Sequence, residues 1–258
     1  AFAIWDELRQ HLLLVRDRLG VKPLFYRAGP DSLLFASEIK SLLLHPAVPA
    51  QVDGEGLAEI LVLGPARTPG HGIFKGIHEV LPGHCLLFDR KGIRTWPYWR
   101  LQSQPHLDDA DATAEKLREL LEDIAVRQLQ SDVPIGTLLS GGLDSSILTA
   151  LTARAVKGSP LSTFSVDYRD SSRYFVANQF ETNPDGPWIE TVSKYLGTNH
   201  HTIVLDNHDL AGALPQAMQA ADIPGMTDID ASLLLFCREI KKKVTVALSG
   251  ECADEVFG

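Results

Sequence analysis

The segment Ser140-Gly141-Gly142-Leu143-Asp144-Ser145-Ser146 constrains this chain more than any other. It follows the apolar run Val133 to Leu139 and leads directly into Ile147-Leu148-Thr149-Ala150-Leu151, which reads as a buried strand, a small-residue turn and a helix. Such a turn leaves backbone N–H groups without partners at a helix N-terminus, where partial positive charge favours an anion. Gly141 and Gly142 let a ligand approach the backbone closely, because neither carries a Cβ. Ser140, Ser145 and Ser146 add hydroxyls, and Asp144 adds a carboxylate suited to Mg2+. Together they describe a cradle for pyrophosphate. The plainer alternative is an ordinary serine-capped turn, since Ser and Asp are common N-caps. Other nucleotide loops do not fit: no glycine loop here ends in Lys followed by Ser or Thr, and the adjacent glycine pair lacks the spacing of the dinucleotide fingerprint.

A second segment repeats the pattern. Val244-Thr245-Val246-Ala247-Leu248 is a short β-branched strand that ends in Ser249-Gly250-Glu251-Cys252-Ala253-Asp254-Glu255, with three carboxylates in five residues. In an open parallel sheet, ligands bind outside the carboxyl ends of the strands. Two strand ends bearing Ser-Gly turns are therefore expected to face one crevice. Taken alone, the second segment is equally a solvated acidic turn that opens a helix.

The remainder of the chain fits two domains in series. Of its 258 residues, 45% are hydrophobic and 22% charged, ordinary values for a globular protein. The net charge of −9 argues against binding a nucleic-acid backbone. Short strands are expected over 2–5, 11–16, 23–27 and 32–37, with helices over 38–44 and 53–61 and Asp53 as N-cap of the latter. Two strands flank the turn Asp89-Arg90-Lys91-Gly92, and Trp96 and Trp99 read as packing residues. A polar stretch from Gln102 to Asp109 marks the boundary. Beyond it, a helix over 111–130 carries Leu117, Leu120, Leu121, Ile124 and Leu129 as one stripe against a core. Strands over 133–139, 161–168 and 201–205 then alternate with helices over 147–156 and 188–196. Helices over 210–220 and 230–242 precede the last strand. That alternation argues for a parallel sheet covered by helices. The stretch from Asp170 to Pro187 reads as an irregular surface loop.

Cys85, Cys237 and Cys252 have no metal-ligand spacing and cannot all pair, which fits a reducing cytoplasm. Cys252 reads as a small buried residue rather than a nucleophile. No secretory signal opens the chain and no apolar run reaches the ~18 residues that span a bilayer, so a soluble cytoplasmic protein without a membrane partner is expected. The histidines, the pair His200-His201 included, read as structural, and Lys241-Lys242-Lys243 as a solvated helix end.

Ser140 to Ser146 resembles the pyrophosphate loop of the ATP pyrophosphatase superfamily. Ser249-Gly250-Glu251 with Asp254-Glu255-Val256-Phe257-Gly258 is similar, more narrowly, to glutamine-hydrolysing asparagine synthetases. Upstream, the run from Arg16 to Tyr26, Phe35-Ala36-Ser37-Glu38-Ile39-Lys40 and Leu81-Pro82-Gly83-His84 resemble the glutaminase domain of that family. The resemblance covers nearly the whole chain. It implies an α/β fold with a parallel sheet and helices on both faces, of the pyrophosphate-loop ATPase, adenine nucleotide alpha hydrolase-like kind. This is preceded by the β-rich C-terminal part of an N-terminal-nucleophile glutaminase domain. The implied domains are residues 1–106 for the glutaminase part and 107–258 for the N-terminal part of the synthetase.

The chemistry implied is the activation of aspartate by ATP to a β-aspartyl-AMP with release of pyrophosphate, followed by attack of ammonia from glutamine. On this resemblance, Ser140, Gly141, Gly142, Ser145 and Ser146 hold phosphates, Leu143 and Asp144 belong with them to the ATP site, and Leu138 and Val166 contact adenosine. Ser249 and Gly250 complete the ATP pocket, while Asp144 and Asp254 accompany Mg2+. Asp254 also suits a helix cap. Glu251 corresponds to the glutamate linked to adenylate formation and ammonia attack. Cys252-Ala253 stands where many relatives have Gly-Ser. Residue 1 is Ala rather than the glutaminase cysteine, and a catalytic lysine and most of the aspartate pocket fall beyond Gly258 in the family pattern. The expectation is therefore a fragment inactive by itself. The resemblance leaves room for a homodimer. It also leaves two other functions open: a sibling ligase such as a β-lactam synthetase, and a nucleotide-binding relative without catalysis.

Overall fold

The computed structural model describes residues 1–156, 158–177 and 183–257. They form two compact units: Ala1–Pro105 with Met218–Thr227, and His106–Ala217 with the chain from Asp228 onward.

In the first unit, short apolar runs broken by Gly, Pro and Asp turns pair as antiparallel strands. β1 (Phe2–Asp6), β2 (His11–Val15), β3 (Phe25–Ala28), β4 (Leu33–Ala36), β5 (His78–Glu79), β6 (His84–Asp89) and β7 (Gly92–Pro97) make two sheets, ordered β1-β2-β6-β7 and β4-β3-β5. Leu14, Leu24, Val80 and Leu86 form one buried cluster. A second gathers Phe25, Val48 and Ile77 with Ile39 and Leu42 of α1 (Ile39–Leu43). The helix expected over 53–61 is divided. Asp53 does cap α2 (Gly54–Ala58), accepting from the Gly56 N–H at 3.0 Å, but a π-helical turn at Glu59–Leu63 follows and stops at Gly64.

The Arg16-Asp17 motif is a structural clasp. The buried Arg16 guanidinium pairs with Glu79 at 2.9 Å and donates to the carbonyls of Val80, Gly20 and Lys22. Asp17 accepts the amides of Val21 and Lys22, each at 2.9 Å. Burial pulls the Asp17 carboxyl upward, and these amide bonds outweigh it, holding the group below its ordinary value. Asp222, in the segment 218–227, accepts from the Ile39 N–H at 2.7 Å and from Lys40 Nζ at 2.8 Å. It thereby caps α1, which lacks a cap from its own Glu38.

The second unit is built on four parallel strands, β8 (Ile135–Leu138), β9 (Ser162–Tyr168), β10 (Asn199–Leu205) and β11 (Val246–Leu248), in the order β10-β9-β8-β11. Its helices are α3 (Ala110–Gln128), α4 (Leu143–Ala155), α5 (Ser171–Tyr174), α6 (Gly186–Leu196), α7 (Asn207–Ala221), α8 (Thr227–Lys241) and α9 (Ala253–Phe257). Register pairs Thr137 with Thr163 and Leu138 with Phe164, so hydroxyl and apolar side chains go to opposite faces. On the apolar face, Phe164 packs against Phe236 and Ile240 of α8. On the hydroxyl face, Thr137 Oγ1 lies 3.0 Å from Thr149 Oγ1 of α4. There His200 takes Thr163 at Nδ1 (2.9 Å) and Ser165 at Nε2 (3.0 Å). Burying these groups is tolerable because they satisfy one another.

Two expectations change, and a third is met. α3 forms close to where its periodicity predicts, yet Leu117, Leu120 and Ile124 stay 37%, 58% and 43% exposed, and only Ala125 is buried. Periodicity fixes which residues share a face, not that a neighbour covers it. The loop expected over 170–187 contains α5 and the start of α6, with residues 178–182 outside the described residues. The acidic turn after β11 continues as α9, while Gly258 of that motif lies outside the described residues. Among the described residues no helix is long and apolar enough to cross a membrane.

His200 carries a testable consequence. Burial, and then the neighbouring His201, hold its imidazole below its ordinary value. The unfolded chain therefore binds the proton first as pH falls, so stability is complete above about pH 6.5 and declines below it. Urea midpoints measured from pH 8 to pH 5 should fall through that window, and His200→Gln should flatten the slope.

Candidate functional site

The site begins where β8 ends. Leu139 extends the strand by one bond, its N–H donating to the Phe164 carbonyl at 2.8 Å, and the chain then turns through Ser140-Gly141-Gly142 into α4. Gly142 is the N-cap, with extended backbone and no side chain capping the helix. The first-turn amides of α4 thus have no side-chain acceptor of their own and suit an anionic ligand. Ser145 shapes this loop: its hydroxyl donates to the Gly142 carbonyl at 3.2 Å, accepts from the Ser140 N–H at 3.2 Å and lies 3.0 Å from Ser140 Oγ. Gly141 has φ +84°, and a Cβ there would stand 2.8 Å from Trp188 Cβ and 3.0 Å from the Ile189 nitrogen. Only glycine meets both demands.

Parallel pairing of β11 with β8, Leu248 opposite Thr137, brings the second loop alongside the first. A Cβ on Gly250 would fall 3.1 Å from the Asp144 carbonyl carbon and 3.2 Å from both Asp144 Cβ and the Ser145 nitrogen. The two loops are therefore in van der Waals contact. Ser249 Oγ accepts the Glu251 N–H at 3.2 Å, and Cys252 takes a left-handed conformation, φ +69°, just before α9.

A cavity of about 630 Å³ opens beside these loops, a size common for small-molecule sites. Its lining includes Leu138, Ser140, Gly142, Asp144, Ser145, Val166, Ser249, Gly250, Glu251 and Asp254. Of the residues expected at the site, Gly141, Leu143 and Ser146 are missing from that lining. Gly141 instead abuts α6, Leu143 is exposed, and the Ser146 hydroxyl is buried with no hydrogen-bond partner among the described residues. Cys252 is exposed rather than buried, because its left-handed turn carries it to the surface.

Sequence reasoning missed the far wall. Tyr168 of β9, and Ile229, Ser232 and Leu233 of α8, also line the cavity. The signal was the stripe Ser232, Phe236, Ile240 on α8, where a serine stands in an otherwise apolar row.

Among the described residues no three His, Cys, Asp or Glu side chains gather to hold a metal ion. Asp144 and Asp254 do share the cavity. Mg2+ commonly takes one or two carboxylates and completes its shell with phosphate oxygens and water. The pair fits an ion that arrives with a nucleotide. The open backbone at Gly142, where a Cβ would meet only Ser140 Oγ at 3.4 Å, leaves room for an anionic group.

With the geometry in place, the comparisons are specific. A family model described as asparagine synthase matches residues 116–258, and one described as a glutamine amidotransferase domain matches residues 1–99. The chain belongs to the asparagine synthase family. It is 52% identical to asparagine synthetase [glutamine-hydrolyzing] 3 of Bacillus subtilis, over all of this chain and 42% of that protein. Identity is 30% with a putative asparagine synthetase [glutamine-hydrolyzing] 2 of Methanocaldococcus jannaschii, over all of this chain and 48% of that one. It is 31% with amidase chyE of Penicillium rubens, over all of this chain and 39% of that protein. The chain spans less than half the length of each of these relatives.

Two substitutions separate the roles of the second loop. Gly250→Ala forces the loops apart at Asp144. It should weaken Mg-ATP binding by calorimetry about tenfold or more, with a thermal midpoint within a few degrees of the unmodified chain. Cys252→Gly relieves a left-handed non-glycine residue and should stabilise the chain by about 1 kcal/mol in urea unfolding.

Proposed function

We propose that this protein is a ligase that amidates aspartate to asparagine at the expense of ATP, using ammonia from glutamine and releasing AMP and pyrophosphate. The observation that carries the reading is the contact of the two strand-end loops, Gly250 against Asp144 and Ser145, around one cavity. Residues 107–258 act as the synthetase side and residues 1–106 as the glutamine side. The three cysteines, all free, suit a reducing compartment, and the reaction is assigned to the cytoplasm.

A carboxylate is a poor electrophile, and adenylation gives the aspartate side chain a good leaving group. In this reading the α4 amides, Ser140 and the Ser249-Gly250 turn hold the phosphates, aided by the helix N-terminus. Leu138 and Val166 flank the adenosine. Asp144 and Asp254 hold Mg2+, which when bound offsets the charge of the triphosphate. Without that ion, the two carboxylates would repel a polyanion. Glu251 accepts a proton from the incoming ammonia as it attacks the β-aspartyl-AMP. Ser145 contributes by fixing the loop, since its hydroxyl is already engaged by Ser140 and Gly142.

The test is aspartate-dependent exchange of labelled pyrophosphate into ATP, run on the complete gene product. Exchange should require aspartate and Mg2+. Asp144→Asn should lower it about a hundredfold or more, in line with loss of a group that stabilises transition-state charge. Exchange driven by another carboxylic acid, or ATP binding with no exchange, would remove asparagine synthesis from consideration.

A further inference from the structure

Gly141 is hemmed in by α6. A Cβ there would stand 2.8 Å from Trp188 Cβ and 3.0 Å from the Ile189 nitrogen, so the first turn of α6 lies directly against the loop that follows β8. The inward side of α6 is Ile189, Val192, Ser193 and Leu196, a helical stripe that is apolar but for one serine. Ser193 is only 9% exposed, and an apolar residue there would carry no polar atom needing a partner. Its hydroxyl opens a chain instead. Ser193 Oγ lies 2.9 Å from Thr198 Oγ1, and Thr198 Oγ1 lies 3.1 Å from Thr163 Oγ1. Thr163 Oγ1 is in turn 2.9 Å from His200 Nδ1, and His200 Nε2 is 3.0 Å from Ser165 Oγ. The chain thus runs from the middle of α6 to β9 and β10. It passes through the turn between α6 and β10, where Gly197 is a left-handed C-cap and the Thr198 N–H donates to the Ser193 carbonyl at 3.1 Å.

This chain has the properties of a positional stop. A neutral imidazole accepts at one nitrogen and donates at the other, so each member can accept once and donate once along the chain. Burial favours that neutral form of His200, since it holds the imidazole below its ordinary value. Apolar contact at Ile189 resists lifting α6 off the sheet but not sliding it along, whereas hydrogen bonds of set length and direction resist both. Sliding matters here, because Gly141 has φ +84° and leaves no space for a side chain against Trp188. A small shift of α6 would push the loop or release it, and loop amides that must be ordered on binding hold an anion less tightly. Resting on the nucleotide reading above, we propose that Ser193, Thr198 and His200 are positioning residues for the phosphate loop. Their hydrogen bonds register α6 on the sheet, so that Trp188 and Ile189 hold the Gly141 turn in place.

Calorimetry on the full chain tests this with two probes, inorganic pyrophosphate with Mg2+ and adenosine. Ser193→Ala and Thr198→Val should each weaken pyrophosphate about three- to tenfold and leave adenosine within about twofold. Thr198→Ser, which keeps the hydroxyl, should restore pyrophosphate binding to within about twofold of the unmodified chain. Ile240→Val removes a methyl group on the opposite face of the sheet at a comparable cost in stability, and should leave pyrophosphate binding intact. Ser193→Ala and Thr198→Val chains that bind pyrophosphate as the unmodified chain does overturn the proposal. So does a parallel loss of adenosine, or an equal loss in Ile240→Val, because the chain of hydroxyls would then only support the fold. A Thr198→Ser chain as weak as Thr198→Val overturns it too, since the methyl group rather than the hydroxyl would be at work. Failure of the unmodified chain to bind pyrophosphate would instead sink the nucleotide reading beneath it.

Discussion

The parallel pairing of β8 with β11 is the constraint on which the site depends. These strands are far apart in sequence, and each ends in a Ser-Gly turn that would be unremarkable alone. Hydrogen-bonding them side by side in the same direction sends both turns out at the same sheet end. The missing Cβ of Gly250 then lets the second turn settle against the first turn of α4. A methyl group there would have to displace backbone, since its nearest contacts include the Asp144 carbonyl carbon and the Ser145 nitrogen. The site is thus defined by backbone proximity first, and by side chains second.

The two faces of the sheet divide the remaining work. The phenylalanine face carries hydrophobic burial, with Phe164, Phe236, Ile240 and Val244 in one cluster. The threonine face is held by hydroxyl pairs, Thr137 with Thr149 and Thr163 with Thr198 and His200. Hydrogen bonds have preferred directions, whereas apolar contact has none. A polar face therefore fixes the position of α4 over the strand more narrowly than a greasy one of equal area. For a helix whose first turn borders the cavity, that is an advantage worth the desolvation it requires.

Much of this was legible in the sequence, for local reasons. Strand positions in the first unit followed from short apolar runs and their turn residues, and Asp53 and α4 followed from capping and small-residue patterns. The strand-end loops could be read because their chemistry is contiguous. What the sequence hid was non-local. Nothing in the α3 pattern reports that Leu120 stays exposed, because coverage depends on distant elements. Ser232 and Tyr168 are separated by 64 positions, and only folding joins them. Ser145 reads from the sequence as a phosphate ligand, and only the fold shows that its hydroxyl also ties the loop together through Ser140 and Gly142.

Cys252 shows how far loop geometry can outlast its side chains. Relatives with glycine at this position would pay nothing for a left-handed backbone, yet the cysteine here adopts φ +69°. The surrounding structure must therefore impose that conformation: β11 on one side, α9 on the other, and Gly250 pinned against Asp144 between them. A loop that holds its shape against a cost of about 1–2 kcal/mol is over-determined by its neighbours. The exposed thiol lies in the cavity lining beside Glu251 and Asp254, but what the neighbours enforce is the turn rather than the thiol. That ordering, backbone before side chain, explains how the Ser-Gly-Glu turn can keep its place against the first turn of α4 although the residue after it is not glycine.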